Sequence, residues 1–426
     1  QMKTLDTIQE PLAIAMWDSS WLRRRYRGGG FEDWDVALAG LVDRGYNAVR
    51  IDAFPHLIAN GPDGRMVERF KDVPNQFPQF YGFGMWGNPW TMYIEPRAAL
   101  IEFLTKCREH NVKVGLSTWF KPTDDRRNEQ IEGLGEFVRV WRETLEFIED
   151  NGLMDTVAYL DVLNEYPAGH VFAWLHRTVG TMAFPSGPDG TLNNRQRDFL
   201  WAFLTEAIEQ LRHGWPTLTI SASLTFDGFA RYWEDLDLSC LDFLDVHIWL
   251  NYLPGFDQVS DYARTIERHG QPNELFRIEP GSNPYAANAR LIPQDYDYDR
   301  TWHAIREAWD ERRAEWTAGF EQQIDRVVTA ARRHDLHTGQ TEGWGLVNWL
   351  DHPLLGWEVH RETAELATAI AARRGYSFAC SANFCHPHFL GFWDDPAWHR
   401  KVTSTIRSGV PRSDKGQEPA RLSSAP

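Results

Sequence analysis

Short apolar and β-branched runs alternate with longer amphipathic segments along most of the chain, and this alternation constrains the fold more than any other feature. Each βα unit returns the chain to the end where its strand began, so repeated units call for a parallel sheet. Strands are expected at 12–17, 47–54, 112–120, 157–165, 218–224, 243–250, 338–342 and 376–383. Helical periodicity marks 31–44, 96–110, 134–150, 198–213, 301–334 and 358–373. Gly45, Gly152 and Gly214 stand just past three of these helices, where a left-handed cap is expected. Eight such units predict an α/β fold, a closed (β/α)8 TIM barrel with long βα loops, because doubly wound sheets usually stop at about five or six strands. The barrel is expected to be one domain over residues 1–407. Residues 408–426 are polar, proline-containing and aperiodic, and are expected to be a disordered tail.

Three connections at the C-terminal face of this barrel are oversized: 55–95, 166–197 and 251–300. Long loops in a compact domain usually carry function. The first contains Phe77, Phe80, Tyr81, Phe83, Trp86, Trp90 and Tyr93. These rings are expected to pack over the barrel mouth with Tyr252, Phe256 and Tyr285, leaving a pocket instead of an open cleft.

The net charge of −16 argues against nucleic acid and anionic membranes as partners. No run of about 18 apolar residues exists to span a membrane. Asp6 and Glu10 interrupt the segment where a signal peptide needs an apolar run, so a cytoplasmic location is expected; a secreted chain whose signal has been removed is the alternative. Cys107, Cys240, Cys380 and Cys385 form no CxxC pair and read as reduced, mostly buried thiols. The 20 tryptophans mostly fill the core, with those near strand ends as candidates for stacking on sugars.

The sharpest chemical signal is YLDVLNEYP, residues 159–167, in which an apolar strand ends in Asn164-Glu165 before a proline. A carboxyl group at such a tip can be held protonated by burial and a neighbouring carboxylate. Its partner is Glu342 in QTEGW, at the tip of the seventh strand. Strands four and seven face each other across a barrel of eight, so the two groups can flank one sugar. Acetal cleavage requires one group to protonate the leaving oxygen and another to stabilise or attack the anomeric carbon. Glu279, in LFRIEPGSNP, is the competing candidate if that segment is the seventh strand instead.

These paired motifs resemble the clan of retaining glycoside hydrolases that share a (β/α)8 barrel with catalytic glutamates on strands four and seven, cellulases and β-mannanases among them. The likeness spans roughly residues 12–401. It implies Glu165 as acid/base and Glu342 as nucleophile. It maps the second-strand arginine that supports the nucleophile onto Arg50 in NAVRID, and the site-lining sixth-strand histidine onto His247 in DVHIW. Thr341–Gly345 and Ala382–Cys385 are similar to a cellulase-like group within the clan. Two positions depart from the pattern. Trp249 replaces a tyrosine that bonds the nucleophile, leaving Tyr252 as a possible substitute, and Asn383 with Phe384 replaces a tryptophan at the end of strand eight. Both bear on the sugar subsite.

Arg50 and Asp52 share one strand face and are expected either to pair beside the nucleophile or to form a structural ion pair. Trp119 is balanced between stacking and core packing, and Trp344 is expected to touch sugar. Arg50, Asp52, Trp119, Asn164, His247, Trp249, Trp344 and Asn383 make up the expected substrate-binding set. Strand one ends in Met16-Trp17-Asp18 with no histidine, and Gly28–Gly30 lacks the Lys-Ser/Thr of a phosphate loop, so neither metal nor cofactor is expected. The expected function is retaining, exo-acting hydrolysis of a short oligosaccharide or small glycoside by double displacement. Transglycosylation with the same pair, or an inactive carbohydrate-binding barrel, are the alternatives.

Overall fold

Eight parallel strands form the wall of the molecule: β1 (Leu12–Asp18), β2 (Ala48–Asp52), β3 (Lys113–Ser117), β4 (Val157–Asp161), β5 (Ile220–Ser221), β6 (Phe243–Trp249), β7 (His337–Gln340) and β8 (Phe378–Cys380). This computed structural model describes residues 2–72, 91–121, 123–167, 174, 178, 193–225, 233–256, 259, 276–278, 291–293, 298–347, 349, 351 and 353–410. Neighbours in sequence are neighbours in space: β8 pairs with β1, β1 with β2, and so on to β4. One stretch closes the ring. Ile220 and Ser221 pair with β4, while Leu224 and Thr225, three residues on, pair with β6. β7 then sits between β6 and β8. Outside the wall lie α1 (Trp34–Asp43), α2 (Pro96–Glu109), α3 (Leu134–Asp150), α4 (Asn194–Gly214), α5 (Tyr298–Arg333), α6 (Glu358–Arg373) and α7 (Pro396–Arg407).

Period-two alternation sorts the side chains. Val49 and Ile51 of β2, and Leu244, Val246 and Ile248 of β6, pack outward in the core shared with the helices. Leu12, Ile14, Ala48, Tyr159, Phe243 and Phe378 form a second, interior core. The Tyr159, Phe243 and Phe378 rings lie 5.1–5.3 Å apart. Space for them comes from Gly115 and Gly339, where a Cβ would fall 2.1 Å from the Tyr159 ring and 1.9 Å from the Phe378 ring. A 3-10 turn, Thr4–Thr7, seats Leu5 in this interior core and donates from Thr4 Oγ1 to the Ala158 carbonyl at 2.6 Å. The same inward faces become polar towards the C-terminal ends, at Arg50, Asp52, Asp161, Asp245 and His247. The barrel therefore has an apolar floor and a charged mouth, the end at which barrel enzymes work.

Some expectations need correction. The regular part of β4 ends at Asp161, and beyond it the chain stays bonded to both neighbours, Val162 N–H to the Ser221 carbonyl, Asn164 N–H to the Thr118 carbonyl and Tyr166 N–H to the Ser223 carbonyl. α4 begins four residues before its expected start, because Asn193 accepts from Gln196 N–H while the Gln196 side chain returns the bond. Gly214 is the last residue of that helix and not a left-handed cap; Gly45 and Gly152 do have positive φ. α7 was not anticipated. The segment Phe276–Ile278 pairs antiparallel with Leu291–Pro293, off the barrel, so it is not the seventh strand. Glu279 itself lies outside the described residues. So do Phe77, Phe80, Tyr81, Phe83, Trp86, Trp90 and Tyr285 of the expected mouth cover, and residues 411–426 of the expected tail. Tyr93 does not join a mouth cover: it is 56% exposed and lies 4.3 Å beneath the Arg69 guanidinium. Phe256 is buried against Trp316. All four cysteines are buried and unpaired by disulfides. Among the described residues no helix is long and apolar enough to cross a membrane.

Candidate active site

Arg50, at the centre of β2, is the hub of the mouth. It has no exposed surface, and burying a guanidinium is costly unless its charge and donors are met. Nη2 donates to Glu342 Oε1 at 2.8 Å, and Nη1 to Asn164 Oδ1 at 2.6 Å and Thr341 Oγ1 at 3.3 Å. Burial opposes its charge, but Glu342, Asp18 and Asp161 outweigh burial and strengthen its hold on the proton. Asn164 closes a triangle by donating from Nδ2 to Glu342 Oε1 at 2.9 Å. Glu342 Oε2 takes a longer bond from Asn383 Nδ2, 3.5 Å away, and Asn383 Oδ1 accepts from Gly343 N–H at 3.1 Å. These contacts hold the carboxylate from both sides, with Asn383 standing where the resemblance implies a tryptophan.

Glu165 faces this group from β4. Its backbone is left-handed, with φ 53°, an uncommon conformation for a residue with a side chain, and its N–H donates to Ser223 Oγ at 2.9 Å. Ser223 in turn stands 2.9 Å from Asp161 Oδ2 and 3.1 Å from Asn164 Oδ1. Tyr166–Pro167 and Gly343–Trp344, just beyond the two glutamates, are cis.

His247 links the two sides. Nδ1 lies 2.8 Å from Glu165 Oε1 and 3.8 Å from Glu342 Oε2, and Nε2 lies 3.1 Å from Thr341 Oγ1. Thr341 Oγ1 passes its own hydrogen to Asp245 Oδ2 at 2.5 Å. Burial pushes against a charged imidazole, yet Glu342 and Asp245 raise its pKa well above the ordinary value, so both ring nitrogens act as donors. Glu165 is shifted upward, first by burial and then by the charge of Glu342, while the His247 bond acts in the opposite sense. Ligand atoms of Glu165, His247 and Glu342 all lie within 4.8 Å of one another. This is the one group of three or more potential metal ligands among the described residues. His386 and His388 pack with Phe31 and Phe389.

Glu165, Glu342, Arg50, Asn164, His247 and Asn383 thus form one cluster. Asp52 does a different job from the expected pairing with Arg50. Its oxygens accept from Phe54 N–H at 2.9 Å and Trp119 N–H at 3.1 Å, fixing the chain beyond β2 and β3, while the guanidinium reaches across the barrel instead. Trp119 belongs to the hydrophobic core, and its ring is buried there. Trp249 is buried on the same strand face as His247. Trp344 does not line the site: it is fully buried, donates from Nε1 to the Cys380 carbonyl at 3.0 Å and packs against Phe320, which leaves no surface for a sugar.

The sequence reading did not find Ser223, nor the part played by Asp18 and Lys121. Asp18 ends β1, and Lys121 follows β3. Lys121 Nζ forms a buried ion pair with Asp18 Oδ2 and lies 3.0 Å from Ser19 Oγ. Asp18 Oδ1 stands 3.7 Å from Arg50 Nη2. The one available signal was an acidic residue at a strand tip, the same signal that marked Glu165.

The family described as sugar-binding cellulase-like matches residues 14–407. A Parabacteroides distasonis protein described as a putative glycoside hydrolase is similar in structure, with a TM-score of 0.77 and 30% identity over 94% of this chain and 95% of that one. Much weaker likenesses are to a broad-specificity endoglucanase from Clostridium longisporum, with a TM-score of 0.47, 10% identity, and 95% and 100% coverage of this chain and that one. An endo-1,4-β-mannanase from Rhizomucor miehei gives 0.47 and 11%, over 94% and 95%. No curated protein matches the sequence.

Proposed function

The chain belongs to the sugar-binding cellulase-like family and is a glycoside hydrolase; on that premise we propose that it works by double displacement, with Glu342 as nucleophile and Glu165 as acid/base. The observation that carries this reading is the closeness of the two carboxylates, one oxygen of each lying within 4.8 Å of one oxygen of the other. Retaining enzymes hold their carboxyl groups about 5–5.5 Å apart, whereas inverting ones leave roughly 6.5–9.5 Å for a water. The electrostatics support the same division of labour. Arg50 and Asn164 donate to Glu342 and stabilise it as an anion ready to attack. Burial and the nearby Glu342 charge favour the protonated form of Glu165, which suits a group that must first give a proton.

In this scheme a substrate places its anomeric carbon beside Glu342 and its leaving oxygen beside Glu165. Glu342 attacks as Glu165 protonates the leaving group, giving a glycosyl-enzyme. Glu165, now a base, takes a proton from water, which releases the sugar. Asn164 keeps a second amide hydrogen for the hydroxyl next to the anomeric carbon. Within this reading the enzyme removes sugars from the ends of short oligosaccharides or small glycosides; the lengths of the 55–95, 166–197 and 251–300 connections in the sequence support a pocket.

Proton NMR of the first product tests the mechanism. Release of the same anomer as the substrate is expected, and the opposite anomer overturns double displacement. A Glu342→Gly variant supplied with azide is expected to yield a glycosyl azide of inverted configuration. Product analysis tests the exo reading: early release of one small sugar supports it, and a ladder of mid-length fragments from a soluble polysaccharide excludes it.

A further inference from the structure

We propose that Asp18 and Lys121 grip neighbouring hydroxyls of an uncharged terminal sugar, on the part of the ring remote from the carbon attacked by Glu342. The proposal rests on the glycosidase reading of Glu165 and Glu342 and names the class of sugar they would act on.

Position is the first argument. The Asp18 carboxylate and Glu342 approach the same nitrogen, Nη2 of Arg50, at 3.7 and 2.8 Å. The two carboxylates thus share one nitrogen, which keeps these oxygens no more than about 6.5 Å apart, close enough to meet one bound sugar ring. Exposure is the second. The Asp18 and Lys121 side chains are 6% and 8% exposed, and Glu342 is 8% exposed, while Arg50 between them is sealed. Asp18 and Lys121 therefore reach solvent as narrowly as Glu342 does.

Unused bonding capacity is the third. Asp18 Oδ1 is buried with no hydrogen-bond partner among the described residues, although its other oxygen is taken by Lys121. A buried acceptor left unmet is costly, and a ligand donor would meet it. Stability does not account for the pair, since buried ion pairs contribute little net stability compared with apolar residues of similar size. Asp18 also has φ 45°, the left-handed conformation that Glu165 adopts at the tip of β4. Such strain gathers at sites that bind or react.

Chemistry sets the class of ligand. Oδ1 asks for a donor, which a hydroxyl supplies. A carboxylated sugar would bring its negative charge against Asp18, and an amino sugar would bring its ammonium against Lys121 and Arg50. A neutral sugar with two adjacent free hydroxyls can donate one to Asp18 Oδ1 and present the next as an acceptor to the Lys121 ammonium. Both hydroxyls must be unsubstituted, which is the case at a chain end and supports exo action.

The test begins with a panel of neutral, amino and uronic 4-nitrophenyl glycosides on the intact chain. A neutral glycoside is expected to be cleaved best; a uronide or amino glycoside cleaved best overturns the proposal. Monodeoxy versions of the best neutral glycoside then locate the hydroxyls that matter. In the native enzyme, loss of either of two adjacent hydroxyls away from the anomeric carbon is expected to lower kcat/KM about 100-fold or more, since a polar site is left unpaired. In Asp18→Asn or Lys121→Met, the parent glycoside should fall to a similar level, and one of those two deoxy compounds should then lose less than about threefold further. A deoxy penalty that is the same in native and variant proteins means that the pair only braces the barrel, and the proposal fails. The deoxy series on the native enzyme needs no variant to fold: if no remote hydroxyl matters, the proposal also fails. Glu342→Gln separates the two readings. If it retains activity, the glycosidase assignment of this site is at fault; if it is inactive while Asp18→Asn and Lys121→Met are unaffected, only the present inference is.

Discussion

His247 Nδ1 lies 2.8 Å from Glu165 Oε1, and the imidazole holds a proton there because Glu342 and Asp245 also face it. That imidazole faces three carboxylates, and it opposes the burial that raises the Glu165 pKa.

Replacing His247 by Gln removes that cation. The Glu165 pKa then rises further, since burial and the Glu342 charge remain. A general acid acts in its protonated form, so the alkaline limb of the kcat/KM profile should move to higher pH. Measured pH profiles of the native and variant enzymes decide the point. An alkaline limb that stays in place or falls would show that His247 does not tune Glu165.

Arg50 donates through two nitrogens to two different residues, Glu342 and Asn164. A lysine offers one charged point in place of the fork. Arg50→Lys is therefore expected to keep the fold but to lower kcat about 100-fold, because a misplaced nucleophile costs about that much. KM should change far less, as the guanidinium has no exposed surface to offer a substrate. A variant that raises KM alone would place Arg50 in substrate binding.

The barrel and its two glutamates were legible in the sequence because both rest on local, periodic signals. Alternation along NAVRID placed Arg50 inward, and apolar strands ending in Asn164-Glu165 and Thr341-Glu342 placed the carboxylates. Asp52 was misread because alternation tells which face a side chain occupies and not which partner it finds; backbone N–H groups of Phe54 and Trp119 took it. Trp344 was misread for a related reason. It follows Glu342 closely in sequence, but Gly343 turns the chain at φ 152° and the indole swings out against Phe320. Ser223 and the Asp18–Lys121 pair were hidden because their meaning lies in contacts between strands far apart in the chain.

Trp344→Phe tests that second correction. The smaller ring loses the indole N–H bond to the Cys380 carbonyl and leaves unfilled volume in a packed core. A loss of about 1–3 kcal/mol in unfolding free energy is expected, with KM for any cleaved glycoside unchanged. A large rise in KM at unchanged stability would return Trp344 to the sugar site.

Gly343 offers the most direct test of how the nucleophile is held. Its φ of 152° is a region that residues with side chains avoid, and a Cβ there would stand 2.6 Å from Gln340 Nε2 and 2.7 Å from the Ile248 carbonyl. Both neighbours are anchored: the Gln340 side chain bonds the Glu342 carbonyl, and Ile248 belongs to β6. Gly343→Ala must therefore move the turn, and the turn carries Glu342 on one side and receives Asn383 on the other. Overpacking of this kind costs about 1–3 kcal/mol. A shift of the nucleophile by about 1 Å is expected to lower kcat about 100-fold. Thermal unfolding and steady-state kinetics measure the two effects separately. Native kcat in a destabilised Gly343→Ala enzyme would mean that Arg50 and Asn164 alone position the carboxylate, and that the Asn383 bond to the turn has no part in it.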